Sequence, residues 1–184
     1  MIVKILISER DFLEEYAHIE TNVLMASEYR YQTIFPKKDE LVILISQSGE
    51  TADTLEALRK AKENNLDTLG IINVHSSSIA RESKNVIYLF AGCEIAVATT
   101  KAYLAQALIL SLISLYLGYE NNKLSENDVN MYLQELPQLI VDTNEILKNK
   151  VKYKNIAKEI YNHREMFFIG RGIDYALCME ASLK

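Results

Sequence analysis

The sequence predicts an α/β fold, a three-layer α/β/α sandwich in which helices cover both faces of a parallel sheet. Short apolar runs near residues 41–45, 68–73 and 86–90 are typical of buried strands. A helical pattern at residues 50–64 and a polar turn that opens a short helix at residues 75–82 lie between these runs. Strands and helices that alternate at this spacing favour a parallel sheet with right-handed crossovers.

The N-terminal part predicts one helix and one further strand. Residues 1–11 begin with a short apolar run, but Glu9 and Asp11 follow too closely for a signal peptide. Residues 12–17 have the pattern of the end of a helix, and residues 22–26 that of a short strand. We therefore expect a fourth parallel strand near residues 22–26.

A strand, a hydroxyl-rich turn and a helix follow one another at residues 41–62, and this stretch suggests a phosphate site. A helix N-terminus offers unpaired N–H groups and a partial positive charge. These donors can bind a phosphate together with the side chains of the turn, Ser46, Gln47, Ser48 and Thr51. The alternative is that Ser48 or Thr51 only caps the helix and that Gly49 only lets the chain turn.

The string S-Q-S-G-E-T-A-D-T at residues 46–54 is more specific than a generic turn. It resembles the phosphosugar-binding segment of sugar isomerase (SIS) domains, and within them the isomerase half of glucosamine-6-phosphate synthases. It is not a Walker-type loop, because no G-K-[ST] follows. The segment A-S-E-Y at residues 26–29 also resembles that synthase family. The family's first strand and its C-G-T-S-type loop have no counterpart in residues 1–11.

The stretch A-G-C-E-I-A-V-A-T-T-K-A-Y at residues 91–103 resembles a second motif of the same family. The resemblance implies that the backbone near Val97 and the hydroxyl of Thr99 contact the sugar. Lys101, at a helix start, opposes the helix dipole, so we expect an ion pair with a residue such as Glu94, or else a ligand contact. We interpret Cys93 as a small buried residue rather than a nucleophile.

Residues 102–117 form an almost wholly apolar run that contains a few polar residues. A membrane span needs about 20 such residues, so no membrane partner is expected. A helix that is apolar on all sides is typically buried. We therefore predict a core helix that a second domain or subunit also covers, and a homo-oligomer formed through it.

The C-terminal third predicts further helices and one strand. A helix opens at Ser125, and Pro137 should end or kink it. A strand is expected at residues 165–169, followed by a helix at residues 174–184. By resemblance, F-x-G-R-G near residue 170 marks the start of a second SIS domain. The expected divisions are a non-matching segment at 1–11, an SIS domain at 12–122, a helical connector at 123–162 and a truncated second SIS domain at 163–184.

The resemblance implies binding of fructose-6-phosphate or glucosamine-6-phosphate, in amino sugar biosynthesis leading to UDP-GlcNAc. Lys184 matches a family lysine near the active site, whereas the family's isomerising glutamate would lie beyond it. Glu180 lies roughly two helical turns from that position and should not replace it. Because Ile2 stands where the glutaminase half would expose its cysteine, we expect this chain alone to be inactive. A non-catalytic SIS binding or assembly module and a fragment of a fructosamine-6-phosphate deglycase remain alternatives.

Composition excludes several other classes. The net charge of -5, with scattered basic residues, argues against a nucleic-acid partner. The two cysteines, Cys93 and Cys178, are far apart in sequence, which favours a reducing compartment such as the cytoplasm. The three histidines show no metal-ligand spacing, so neither a metal nor a cofactor is expected.

Overall fold

The computed structural model of the protein describes residues 7–95 and 99–183. The strands in these ranges are β1 (Leu41–Ser46), β2 (Asp67–Ile72) and β3 (Asn85–Tyr88). The helices are α1 (Ile7–Ala17), α2 (Ala26–Tyr29), α3 (Ala52–Glu63), α4 (Ser78–Glu82), α5 (Lys101–Glu120), α6 (Glu126–Lys148), α7 (Lys150–Ile160) and α8 (Ile173–Leu183).

The three strands form a parallel sheet in the order β1-β2-β3. Leu41 is in register with Asp67 on β2, and Leu69 is in register with Asn85 on β3. The prediction that the strands near 41–45 and 68–73 are adjacent and parallel is therefore confirmed. The carboxyl ends of the strands, and the turns that follow them, lie along the same edge of the sheet.

Two apolar clusters lie on opposite faces of the sheet and make the fold a three-layer sandwich. Val42 and Leu44 of β1 belong to a cluster that contains Leu58 of α3. Ile43, between them, belongs to a second cluster with Leu110 of α5. Side chains of a strand alternate between its two faces, so one strand contributes to both cores. All five of these residues are at most 1% exposed, and the burial of β1 on both faces explains why it is apolar from Leu41 to Ile45.

The prediction of a strand at residues 22–26 was wrong. This segment is irregular up to residue 25, and α2 begins at Ala26. Just before this segment, the N–H of Thr21 donates to the Glu14 carboxylate and therefore does not pair with another strand. The Thr21 hydroxyl donates to the carbonyl of Ile19. Val23 and Leu24 pack against the two different apolar clusters, which produces an apolar pattern without strand pairing.

The prediction of a C-terminal strand was also wrong, and of the two outcomes expected at Pro137, a helix end or a kink, the end does not occur. Residues 165–169 form no strand, and Phe167 and Ile169 are 83% and 90% exposed. A strand needs a neighbour to pair its backbone groups, and no strand among the described residues pairs with this segment. Pro137 does not end its helix, because α6 continues from Glu126 to Lys148. A proline removes its own N–H donor from the helix, and α6 tolerates that loss.

Helix α5 is buried along one side only. Leu110, Ser114 and Gly118 are among its buried residues, whereas Leu104 is 63% exposed. At Gly118 a Cβ atom would lie 2.5 Å from the carbonyl oxygen of Tyr16, so α1 and α5 are in close backbone contact there. By length and composition α5 could also cross a membrane, but core helices of soluble proteins meet the same criteria. One side of α5 packs in the core, as expected, and the cover of its other side by a second domain or subunit stays a prediction.

Helices α6 and α7 contribute little to the core described above. Neither has a fully buried residue, although both carry large apolar side chains that are exposed, such as Ile140 and Val151. A capping box starts α6: the Ser125 hydroxyl accepts the N–H of Asp128 at 3.2 Å, and the Asp128 carboxylate accepts the N–H of Ser125 at 2.9 Å. These helices therefore depend on local interactions more than on burial.

Candidate functional site

The turn between β1 and α3 is closed by its own hydroxyl groups. The Ser46 hydroxyl accepts the N–H of Gly49 at 2.9 Å and lies 3.3 Å from the Thr51 hydroxyl. Gly49 has a φ of +67°, a conformation that glycine adopts without a steric cost. Ser46 is only 6% exposed, so these contacts fix a compact turn at the carboxyl end of β1.

The hydroxyl groups of this turn do not cap α3. Thr51 occupies the N-cap position, but its side chain makes no capping hydrogen bond. The Ser48 hydroxyl accepts the N–H of Glu50 at 3.2 Å, which lies before the helix. The first-turn N–H groups of α3 thus lack the usual side-chain cap, and they carry the positive end of the helix dipole. This geometry favours an anion site over the capping alternative.

A cleft of about 410 Å³ opens beside this turn. It is bounded by the carboxyl end of β1, the start of α3, the start of α5 and one residue of α8. Its lining consists of Leu24, Ala26, Leu44, Ile45, Ser46, Gln47, Thr51, Thr54, Thr99, Tyr103, Gln106 and Glu180. The size is within the range of small-molecule sites.

The cleft brings together four of the residues singled out from the sequence. Ser46, Gln47 and Thr51 come from the β1–α3 turn, and Thr99 comes from the segment before α5. Ser48 lies in the same turn but does not line the cleft. Val97 and Lys184 lie outside the described residues.

Four polar lining residues were missed by the sequence analysis: Thr54, Tyr103, Gln106 and Glu180. Thr54 lies three residues after Thr51 on α3, a spacing that places both on one face of the helix. Gln106 is 7% exposed, and its signal in the sequence is a polar residue within an otherwise apolar helix. Glu180 was considered only as a substitute base, although α8 places it on the cleft wall.

The chain just after β3 is fixed to the sheet at Ala91 and Gly92 by Asn73, which is 8% exposed. The Asn73 side chain accepts the N–H of Ala91 at 2.9 Å and donates to the carbonyl of Gly92 at 2.7 Å. The expectation that Cys93 is buried was wrong, because Cys93 is exposed. The Lys101 ammonium donates to the carbonyl of Cys93, and the described contacts include no ion pair between Lys101 and Glu94. The alternative, a ligand contact by Lys101, stays a prediction.

The polar side chains that line the cleft are uncharged, apart from one carboxylate. Hydroxyl and amide groups supply most of its polar atoms, and Glu180 is the sole carboxylate among the lining residues. Neither lysine nor arginine lines it, so an anion would be held by the helix N-terminus and by hydroxyl groups. The apolar side chains of Leu24 and Ile45 complete the wall. Such a lining suits a hydroxylated molecule that carries one anionic group.

Comparison with known proteins agrees with this geometry. The family model described as "SIS domain" matches residues 12–116, which include β1, the turn and most of α5. The chain belongs to the SIS domain family. The prediction of an SIS fold, a parallel sheet flanked by helices, is thereby confirmed.

Among curated SIS relatives, the glutamine–fructose-6-phosphate aminotransferase (isomerizing) of Clostridium acetobutylicum is 41% identical over 172 residues. The enzyme of the same name from Caldanaerobacter subterraneus is 44% identical over 172 residues. Each alignment covers 94% of this chain but 28% of the relative. The chain thus spans little more than a quarter of the length of these relatives.

Solved structures of phosphosugar enzymes share the fold of this chain. The C-terminal domain of glucosamine-fructose-6-phosphate aminotransferase from Francisella tularensis superposes with a TM-score of 0.94 and 34% identity. That match covers 99% of this chain and 53% of the other. A putative phosphosugar isomerase from Clostridium difficile has a TM-score of 0.86 at 20% identity, which shows a shared fold.

Proposed function

We propose that this SIS chain binds a phosphosugar, fructose-6-phosphate or glucosamine-6-phosphate, in the cleft beside the β1–α3 turn. The observation that carries the proposal is the uncapped N-terminus of α3 together with the hydroxyl groups of Ser46 and Thr51. The names of the relatives support a sugar phosphate as the ligand, because their substrate is fructose-6-phosphate.

In this proposal the phosphate lies at the turn and the sugar extends toward α5. Ser46, Gln47, Ser48 and Thr51 supply N–H and hydroxyl donors to the phosphate, each charge-assisted bond contributing about 1.5–3 kcal/mol. Thr99 and the backbone near Val97 contact the sugar. Glu180, the carboxylate that α8 adds to the cleft lining, accepts hydrogen bonds from sugar hydroxyls.

The wider role that we propose is in cytoplasmic amino sugar biosynthesis leading to UDP-GlcNAc. Residues 12–122 are assigned to the SIS domain, residues 123–162 to a helical connector and residues 163–184 to the start of a second SIS domain. The exposed apolar faces of α6 and α7 support a connector that other parts of an assembly cover.

We also propose that the chain self-associates through residues 102–117 of α5. Leu104, Leu108 and Tyr116 are exposed along this helix, although it is strongly apolar. Clustered exposed apolar residues of this kind mark interfaces between subunits.

Calorimetry with glucosamine-6-phosphate tests the binding proposal. The parent chain should bind, and Thr51→Val, which keeps the shape but removes the hydroxyl, should bind about 10-fold more weakly or worse. Ser111→Ala is a matched control, because the Ser111 hydroxyl donates to the carbonyl of Ala107 within α5 and does not line the cleft. Equal affinities of the parent and Thr51→Val would refute the assignment.

The 184-residue chain by itself should bind without making glucosamine-6-phosphate. Proton abstraction from the sugar needs a base within hydrogen-bond reach of the reacting carbon. By resemblance that base is the isomerising glutamate, whose position would lie beyond Lys184, and we assign Lys184 only a supporting role. The assay incubates purified chain with fructose-6-phosphate and either glutamine or ammonia. Product formation that persists on repurification and is lost in Lys184→Ala would contradict this expectation.

A further inference from the structure

Glu50 joins the turn after β1 to the turn after β2. One oxygen of its carboxylate accepts the N–H of Ser78 at 2.7 Å, across 28 positions in the sequence. Beside it, the carbonyl of Gly49 accepts the N–H of Ile79 at 3.0 Å. Two consecutive residues of the first turn are thus bonded to two consecutive residues of α4, which is anchored in the core by Ile79.

The two turns are also in direct packing contact. A Cβ atom at Gly49 would lie 2.0 Å from the Ser77 hydroxyl oxygen, and Ser77 is 3% exposed. On its other side, Gly49 donates its N–H to Ser46. The turn of residues 46–51 is therefore held from two directions, by the end of β1 and by the start of α4.

The hydrogen bond between Glu50 and Ser78 also sets the orientation of the Glu50 carboxylate. A carboxylate at position 50 is one residue from Thr51, where the proposed phosphate would be bound, and a free carboxylate there would repel it. The bonds with Ser78 direct the Glu50 side chain to α4 instead, and they lower the pKa of Glu50, so the group stays ionised in this position.

We propose that Glu50 is a positioning residue, which holds the phosphate-binding turn in shape by its bond to the Ser78 N–H. This inference rests on the proposed function, because it assigns a role within that site. Glu50 itself contacts no ligand in this account. Its contribution is the orientation of the N–H and hydroxyl donors, which a displaced turn would lose.

Three variants separate the bond from the charge. Glu50→Gln keeps an acceptor oxygen at the same reach, Glu50→Ala removes the acceptor, and Glu50→Asp keeps the charge on a side chain that is too short to reach Ser78. Affinity for glucosamine-6-phosphate is measured by calorimetry. Glu50→Gln should stay within about threefold of the parent, whereas Glu50→Ala and Glu50→Asp should bind about 10-fold more weakly. Glu63→Ala is the charge-matched control, on exposed surface at the end of α3.

A second readout is the amide exchange rate of Ser78 in the free protein. It should rise in Glu50→Ala and Glu50→Asp and stay near that of the parent in Glu50→Gln. If Glu50→Ala fails to fold, the affinities and exchange rates of Glu50→Gln and Glu50→Asp provide the same test. Tighter binding by Glu50→Ala, with Glu50→Asp equal to the parent, would mean that only the charge matters and would overturn the inference.

The test also separates this inference from the function on which it rests. Parent affinity that all three variants retain would overturn the positioning role and leave the proposed function intact. Absence of binding by the parent, to glucosamine-6-phosphate and to inorganic phosphate alike, would overturn both. Weak binding by Glu50→Ala and Glu50→Asp, together with an affinity of Glu50→Gln near that of the parent, would support both the positioning role and the proposed function.

Discussion

Replacement of Gly49 by alanine is the sharpest single perturbation of the β1–α3 turn. Gly49 has a φ of +67°, and an added Cβ would meet the Ser77 hydroxyl at 2.0 Å, the Ser77 Cβ at 2.6 Å and a methyl group of Ile72 at 2.9 Å. The substitution therefore imposes two separate costs, one on the backbone conformation and one on packing.

The two costs have different expected sizes. An L-residue in the left-handed region costs about 1–2 kcal/mol. Forcing an extra methyl group into a filled site costs about 1–3 kcal/mol more. Gly49→Ala should thus lower the free energy of unfolding by about 2–5 kcal/mol. Gly92 provides the matched control, because its φ is +71° but nothing lies within 4 Å of an added Cβ, so Gly92→Ala should show the backbone cost alone.

Urea denaturation of five proteins, the four named next and the Ser77→Gly single variant as the reference for the double variant, measures both contributions. The parent, Gly92→Ala and Gly49→Ala give the total costs, and Gly49→Ala in a Ser77→Gly background removes most of the packing cost. In that background the cost of Gly49→Ala should fall to a value near that of Gly92→Ala. If Gly49→Ala costs no more than Gly92→Ala in the parent, the close contact between the two turns is not present and the reasoning is refuted.

Three further predictions concern stability and assembly. Ser125→Ala removes the capping box of α6 and should cost about 1 kcal/mol in urea denaturation, with Ser182→Ala, whose hydroxyl bonds only within α8, as a neutral control. The Arg10 side chain lowers the pKa of Glu14, so this ion pair stabilises the fold above the unfolded pKa of Glu14 and is lost as pH falls through the folded value. The melting temperature of Glu14→Gln should therefore lie below that of the parent at pH 7, and the gap should close below about pH 4; a gap that does not depend on pH would contradict this. Leu104→Glu places a charge on the exposed side of α5 and should shift sedimentation from oligomer to monomer, whereas a parent that is a monomer at high concentration would refute self-association through this helix.

The sheet was predictable from sequence because its signals are local. The strand β1 is continuous and apolar, since it is buried on both faces, and β2 and β3 follow at the spacing of repeated strand–helix units. The segments that failed, at residues 22–26 and 165–169, have the same apolar composition. Within residues 7–95 and 99–183 neither segment has a neighbouring strand, and pairing is a tertiary property that composition does not encode.

The candidate site was predictable in part for the same reason. Ser46, Gln47 and Thr51 lie together in one short motif, and Thr99 lies in a second one. Gln106 and Glu180 reach the cleft only because α5 and α8 pack beside the β1–α3 turn. Their approach to the turn depends on helix packing across long sequence separations, which local patterns do not show, although a polar residue in the apolar α5 is a signal for Gln106.

The most direct test of the central claim is an amide NMR titration of the ¹⁵N-labelled chain with glucosamine-6-phosphate. If the phosphate binds at the start of α3, the largest shift changes should fall on residues 46–54 and 99–106, with little change in α7. Thr51→Val should reduce these changes at equal ligand concentration, and Ser111→Ala should not. Shift changes confined to α6 and α7, or none at saturating ligand, would contradict the account.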